Sequence, residues 1–270
     1  MNILVCIKQV PDTTIIKIDP VTNTLMREGV PAIVSPFDAY ALEAAARIKD
    51  KDKNTKIVVL SMGPEQALVA LKECLSVGGD KAYLVSDRAC GGSDTLATGY
   101  ILSQAKEKIE ELEGLKFDMI MFGKQAIDGD TAQVGPQMAE KLHLPQVTYA
   151  ADIQKDGDTL TIKRMLEDGY MTIKVNTPCL ITCIKELNTP RYMSVSGVFE
   201  CYSKPVTVLD YNALKDHPLI DATTIGLKGS PTNILTSFTP PQKGAGQMLE
   251  GNDMKTCEKL AGILSEKHII

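Results

Sequence analysis

The sequence predicts an α/β fold, a parallel β-sheet with helices on both faces, and three observations carry that reading. Short apolar runs alternate with helix-period segments through the first half of the 270-residue chain, as in repeated strand–helix units. The runs are apolar enough to be covered on both sides, as parallel strands are. Beyond Leu144-Pro145 the pattern changes to period two with turn dipeptides, which adds an antiparallel meander.

Asn2–Val10 opens as one continuous β-rich run, and Lys56–Met62, Lys81–Ser86 and Phe117–Phe122 are further strands. Ile15–Ile18 and Leu25–Arg27, joined by residues 19–23, read as a small hairpin inserted before the first helix. That helix starts at Ser35-Pro36-Phe37-Asp38, which offers an N-cap, a proline at the first helical position and a carboxylate in the first turn. Tyr40, Ala41, Ala44, Ala45 and Ile48 mark its inner face. Pro64 opens Glu65–Val77, which Gly78-Gly79 closes; Ser93-Asp94 opens a longer helix to Glu113, stopped by Gly114. Ligands in such sheets bind beyond the carboxyl ends of the strands, so the loops after residues 9, 62, 86 and 122 are the ones to inspect.

Ala151–Lys155, Thr159–Met165 and Tyr170–Val175, separated by Asp156-Gly157 and Asp168-Gly169, form the meander and lead into Cys179–Ile184. From Asn188 onward the chain holds six of the 14 prolines and no strong alternation until a last helix near 253–267. This composition predicts an extended arm that reaches across a partner surface. The expected division is an α/β domain over 1–186 and the arm over 187–270.

Composition narrows the function. With 29 Lys plus Arg against 34 Asp plus Glu the net charge is −5, which argues against nucleic acid or a membrane surface as partner. No stretch approaches the roughly 20 apolar residues of a membrane-spanning helix, and the opening MNILVCIKQV lacks the regions of a signal peptide. The seven Cys form no C-x-x-C pair and, being odd in number, read as reduced thiols of a cytoplasmic protein. His143, His217 and His268 stand alone, so neither a metal site nor a catalytic constellation is expected. Cys179 and Cys183 fall on one face of a strand and read as core, while Lys106 and Lys108 among Glu107, Glu110, Glu111 and Glu113 read as a solvated helix face.

The segment most loaded with chemistry is 123–136, GKQAIDGDTAQVGP, after the fourth strand and running into a helix from about Thr131. Gly123, Gly129 and Gly135 permit close backbone approach, a helix N-terminus favours an anion, and Thr131 and Gln133 add donors. Asp128 and Asp130 repel a diphosphate, so they must face away, cap the helix or accept from ribose hydroxyls. Neither G-x-G-x-x-G nor the P-loop pattern occurs, and these residues alone fit a glycine-punctuated strand–helix loop as well as a nucleotide site.

Taken in order, LVCIKQVPDT, SPFDAYALEAA, SMGP, GKQAIDGDTAQVGP and the run from Lys163-Arg164 through Leu187-Asn188-Thr-Pro-Arg-Tyr192 resemble the β subunit of electron-transfer flavoproteins over essentially the whole chain. The resemblance implies a doubly wound, Rossmann-like domain that binds an adenine nucleotide, with the arm wrapping the α subunit. Gly129 and Ala132 in the loop, with Gly229-Ser-Pro-Thr232 and Ser237-Phe-Thr-Pro240 in the tail, resemble the electron-bifurcating group, which holds FAD. The alternative is AMP held structurally, as in non-bifurcating members.

Carried over by position, the resemblance implies cofactor contacts from Cys6, Ser35, Pro36, Phe37, Asp38 and Met62. In the loop it implies Gly123, Gln125, Asp128, Gly129, Asp130, Thr131, Ala132, Gln133, Val134 and Gly135. Read without it, Cys6 and Met62 are core and Ser35 with Asp38 is a capping box. The resemblance further implies NADH as donor, and ferredoxin or flavodoxin with an α-subunit FAD as acceptors. A flavin dehydrogenase of acyl-CoA, enoyl-CoA or 2-hydroxy-acid type would dock at Val195, with Met193 as second candidate; an ordinary turn is the other reading of that segment.

Overall fold

Alternation along the first strand sets the architecture. In β1 (Asn2–Cys6) Ile3 and Val5 face one side and Leu4 and Cys6 the other, and all four are buried, so the strand needs cover on both faces. The computed structural model supplies it with a nine-stranded sheet. It describes residues 1–12, 31–215, 220–221, 223–232, 235, 244 and 246–270. The chain divides into two compact units, Met1–Lys17 with Leu25–Leu235, and Ile18–Thr24 with Thr236–Ile270.

In the first unit β1 is followed by β2 (Gln9–Pro11), β3 (Ala32–Val34), α1 (Pro36–Lys51), β4 (Lys56–Met62), α2 (Leu68–Val77), β5 (Lys81–Val85) and α3 (Thr95–Glu113). Then come β6 (Met119–Gly123), α4 (Val134–Lys141), β7 (Gln146–Asp156), β8 (Thr159–Met165), β9 (Tyr170–Asn176) and β10 (Cys179–Cys183). The unit ends with α5 (Val195–Glu200), β11 (Val206–Leu209), α6 (Tyr211–Leu214) and α7 (Gly226–Gly229). The strand order is β11-β5-β4-β1-β6-β10-β7-β8-β9, with every pair parallel except β7–β8 and β8–β9. In the second unit the described helix is α8 (Met254–Glu266), with Asp253 as its N-cap.

The cores separate by face. α1 and α2 bury Ala41, Leu42, Ala45, Leu71 and Leu75 against Ile3, Val5, Ile57, Val59, Met119 and Ile181. α3 and α4 bury Ile101, Ala105, Ile109 and Met138 against Leu4, Val58, Leu60, Ile120 and Leu180 on the other side. Each buried Leu, Ile, Val or Met among them contributes roughly 1.5–3 kcal/mol. From β1 the chain turns to β4 on one side, and from β6 it crosses to β7 on the other. The connections diverge between β1 and β6, and the carboxyl ends of those two strands frame a crevice of the kind in which open α/β sheets bind ligands.

Several expectations hold closely. β4 covers Lys56–Met62, and α3 is capped by Asp94 at its start and by left-handed Gly114 at its end. The opening run, in contrast, breaks after Cys6: β2 leaves the large sheet to pair antiparallel with β3. The hairpin expected within residues 15–27 lies outside the described residues. The helix opened by Pro64 starts with a 3-10 turn, Glu65–Ala67, before α2. After Asn188, where no alternation was visible, four residues form β11 at the sheet edge beside β5. Among the described residues no helix is long and apolar enough to cross a membrane.

The charged face of α3 is not simply solvated. Glu110 is buried and accepts from Phe117 N at 2.9 Å, Lys106 Nζ at 2.8 Å and Lys116 Nζ at 2.7 Å, tying the helix end to the approach to β6. Glu113 pairs with Lys81 and accepts from Tyr83 Oη. Burial pushes the Glu110 carboxyl up, but its two lysines and the Phe117 N–H outweigh burial and hold it below the usual value. Its contribution is therefore present above the unfolded value near 4.5 and lost as pH falls through the lower folded one. Glu110→Gln is expected to cost about 1–3 kcal/mol, measured by urea unfolding at pH 7, with the difference from the parent shrinking as pH is lowered towards 3.

Candidate functional site

The crevice between β1 and β6 is organised around Asp38, in the first turn of α1. Its Oδ2 accepts from Lys8 N at 2.8 Å and its Oδ1 from Gly123 N at 2.9 Å. One buried carboxylate thereby joins the turn after β1 to the end of β6. Asp38 does not form the expected capping box: Ser35 is the N-cap, makes no side-chain cap bond, and leaves its buried Oγ without a partner among the described residues. The reason is that the Ser35 N–H, which a capping-box carboxylate would accept from, already donates to Lys8 O at 2.9 Å, while the Lys8 and Gly123 N–H groups need an acceptor. Burial pushes the Asp38 carboxyl up to about 7, against the pull of the Lys8 and Gly123 N–H groups and the Lys8 charge, while Asp128 adds to the rise.

Gly123 is obligatory at this junction. A Cβ there would lie 2.4 Å from the Phe37 carbonyl carbon and 2.6 Å from both Asp38 N and Asp38 Oδ1. Gly135 has a similar packing role, because a Cβ would lie 2.9 Å from Thr182 Cγ2 of β10, where α4 crosses the sheet. Gly129 alone of the three opens outward, with nothing within 4 Å of a Cβ. Close approach is thus made to protein at Gly123 and Gly135, and space is left at Gly129.

Between Gly123 and α4 the loop is held by side chains. Lys8 Nζ pairs with both Asp128 oxygens at 2.7 and 2.8 Å, and the Asp128 side chain is 3% exposed. Gln125 Nε2 donates to Asp130 Oδ1 at 2.7 Å. The two carboxylates that argued against an anion site are therefore each engaged by a donor. Asp130 and Ala132 adopt left-handed backbone, φ 51° and 53°, a conformation that costs energy for residues with a Cβ. The helix begins at Val134, three residues later than expected, because these left-handed residues prolong the loop; its N-cap Gln133 makes no side-chain cap bond. Instead Gln133 Oε1 accepts from Thr95 Oγ1 at 3.1 Å, at the start of α3.

The remaining candidates lie around this frame. Pro36 and Thr131 are exposed, and Phe37 and Val134 are half-buried. Cys6 is buried and Met62 partly buried, both against the core on the α3/α4 side. Burial pushes the thiols of Cys6 and Cys183 well up, and that of Cys179 up to about 11, so they are inert neutral groups. No group of three metal-ligating residues occurs among the described residues. The strand ends offer a ligand hydrogen-bonding side chains and helix-end N–H groups; among the described residues none is arranged there as a nucleophile with its base.

Three contributors were not foreseen. Lys8 was absorbed into the opening apolar run, although a lone cation at the end of a strand is a usable signal. Thr95 follows a cap already recognised. The third is the packing of residues 226–232, of which Gly229-Ser-Pro-Thr232 was marked only by its resemblance to the bifurcating group; they fold back onto the start of α3: Thr232 N donates to Asp94 Oδ2 at 3.0 Å, Asp94 N to Ser230 Oγ at 2.8 Å, and Gly226 N to Ser93 Oγ at 3.0 Å.

Met193 and Val195 lie in an exposed apolar stretch with Tyr192, Phe199 and Tyr202, away from the crevice. The stretch is pinned at both ends. Arg191 donates through Nε to Glu43 Oε2 and through Nη2 to Asp50 Oδ2, each at 2.7 Å, and Lys204 Nζ donates to Leu75 O and Gly79 O at 2.7 and 2.8 Å.

Residues 22–214 match the family model described as electron transfer flavoprotein domain. The chain is 55% identical to the acryloyl-CoA reductase electron transfer subunit gamma of Anaerotignum propionicum, over the full length of both. It is 49% identical to the caffeyl-CoA reductase-Etf complex subunit CarD of Acetobacterium woodii, again over both full lengths. It is 51% identical to the electron transfer flavoprotein subunit beta of Thermoanaerobacterium thermosaccharolyticum, with full coverage of each chain.

The two kinds of glycine in the loop should separate in solution. Gly123→Ala is expected to destabilise the protein by about 1–3 kcal/mol, because backbone and not a flexible side chain must move, whereas Gly129→Ala stays within about 0.5 kcal/mol. Urea unfolding midpoints of the two variants check this.

Proposed function

The chain belongs to the electron transfer flavoprotein family, among chains named as its β subunit, and we propose on that premise that the crevice between β1 and β6 holds FAD. The observation that carries the reading is the stapled loop: Asp128 is charge-paired with Lys8, Asp130 is held by a hydrogen bond from Gln125, and the crest at Gly129 faces open space. Those features suit a ligand carrying phosphate. The buried, unpartnered Ser35 Oγ supplies a donor at the α1 end of the crevice, and the uncapped start of α4 supplies N–H groups at the other. Gly129 and Ala132, by which the loop resembles the bifurcating group, favour a dinucleotide over AMP.

Bound there, FAD supplies two-electron exchange with NADH and one-electron exchange with a ferredoxin or flavodoxin on one side and an α-subunit FAD on the other. This chain's residues bind and orient. Ser35, Gln125, Gly129, Thr131 and Gln133 face the nucleotide, and Lys8 and Asp128 set the height of the loop. Residues 187–270 serve contact with partners. The exposed Tyr192, Met193, Val195 and Phe199 offer a docking face to a flavin dehydrogenase, and the chain beyond it forms the arm on the α subunit. The acyl-CoA reductases named in two relatives favour a dehydrogenase of the acyl-CoA or enoyl-CoA class.

Nucleotides extracted from the purified heterodimer decide the cofactor. Two FAD per heterodimer are expected; one FAD with one AMP overturns the bifurcating assignment in favour of structural AMP. Gly129→Asp adds charge at a position where the protein itself has room, so it is expected to fold as the parent does and to lose β-site flavin while the α-site flavin remains. Full flavin retention would remove the loop from contact with the diphosphate.

A further inference from the structure

Asp38 stands among the residues expected to touch a cofactor, yet its two oxygens are directed at protein backbone. We propose that Asp38 is a positioning residue for the nucleotide: its ionised carboxylate holds the loop over 123–133 in the binding shape, and affinity for nucleotide falls when Asp38 takes up a proton. This rests on the nucleotide reading of the crevice and adds a proton to it.

The geometry leads there in three steps. An ionised carboxylate accepts on both oxygens, as the bonds to Lys8 N and Gly123 N require. A protonated one turns one oxygen into a donor, and one of those two N–H groups then faces a hydroxyl in a buried setting, where an unmet donor is costly. Either loss reaches the loop directly. Gly123 is its first residue, and Lys8 carries the ammonium group that fixes Asp128 at 2.7 Å. The two ends of the loop's support therefore depend on one group.

Asp38 is also the group placed to change state near neutral pH. The charged and titratable groups facing it are Lys8 after β1, Asp128 in the loop, Cys6 in β1, Cys74 in α2 and Cys183 in β10. Lys8 and Asp128 are paired with each other. Burial keeps all three thiols neutral far above that range. The Asp38 carboxyl, by contrast, is pushed by burial up to about 7.

The direction of the effect separates positioning from plain electrostatics. If Asp38 acted on the ligand only through its charge, repulsion between carboxylate and diphosphate would weaken binding as pH rises. Positioning gives the opposite slope, tighter binding as pH rises. It also acts on a ligand with no phosphate at all.

The test uses the heterodimer with its β-site nucleotide removed, titrated with FAD and with adenosine between pH 6 and pH 8; neither probe changes charge in that interval. FAD is expected to bind about tenfold more weakly at pH 6 than at pH 8, the limit for one proton lost from a group titrating near 7, and adenosine is expected to follow the same slope. Asp38→Asn should bind both probes weakly with no slope, and Asp38→Glu should restore the slope. Because Asp38→Asn can fail to fold, proton release on adding FAD to the parent at pH 7, read from heats in buffers of different ionisation enthalpy, gives a second measure, expected near half a proton. Tighter FAD binding at pH 6, a flat parent profile, or a slope that persists in Asp38→Asn overturns the positioning role while leaving the nucleotide site standing. Failure of both probes to bind at any pH overturns the nucleotide reading and the proposal with it.

Discussion

One buried carboxylate between two strand ends is the constraint on which the functional face depends. A parallel sheet ends in backbone N–H and C=O groups with no further strand to pair them, and where the chain turns away in opposite directions those ends separate into a crevice. The first turn of α1 brings Asp38 into that gap, and its two hydrogen bonds convert two independent loop starts into one frame. Everything nearby is fitted to it. Gly123 has no Cβ because Asp38 occupies its space, Lys8 is turned so that its ammonium reaches Asp128, and α4 is displaced along the chain by a loop of fixed shape.

Taking a charge out of water is expensive, and a carboxylate so placed is kept only where its hydrogen bonds offset the loss. The same reasoning separates this group from Glu43 and Glu110. Both of those are buried too, but each meets cations directly, Arg47 and Arg191 for Glu43, Lys106 and Lys116 for Glu110, and both carboxyls are held below the usual range despite burial. Asp38 meets backbone N–H groups and only a neighbouring cation, and it is held high. Three buried carboxylates in one sheet domain thus do two different things. The paired ones fasten elements together, and the unpaired one stays close to a change of state.

Much of this was legible in the sequence, for reasons that differ from element to element. β4, α3 and the meander were readable because period, caps and turn dipeptides agreed over several residues, as with Asp94 and Gly114 at the two ends of α3. The break after Cys6 was not, since β1 and β2 are both apolar and only pairing partners distinguish them. β11 escaped because four residues give no periodicity and its place beside β5 is set by contacts more than 100 positions away in sequence. The candidate loop was legible as a segment between a strand and a helix, and it runs from the end of β6 to α4, whereas the contacts inside it depended on distances. Which glycine meets protein and which meets space, and which acid is engaged by which donor, are properties of three dimensions that composition and spacing do not encode.

The position of β10 carries a consequence for how the molecule is made. This strand lies between β6 and β7, yet it follows both in the chain, after the whole of β8 and β9. Synthesis therefore delivers the two flanks of a gap before the piece that fills it. The hairpins of β7, β8 and β9 form from local pairing, but they join the sheet only when Cys179–Cys183 is available to pair with β6 on one side and β7 on the other. Until then β6 presents an unpaired apolar edge, the kind of surface on which chains associate with one another instead of folding. The interval between emergence of β6 and emergence of β10 is therefore the stretch of synthesis in which that edge stands open.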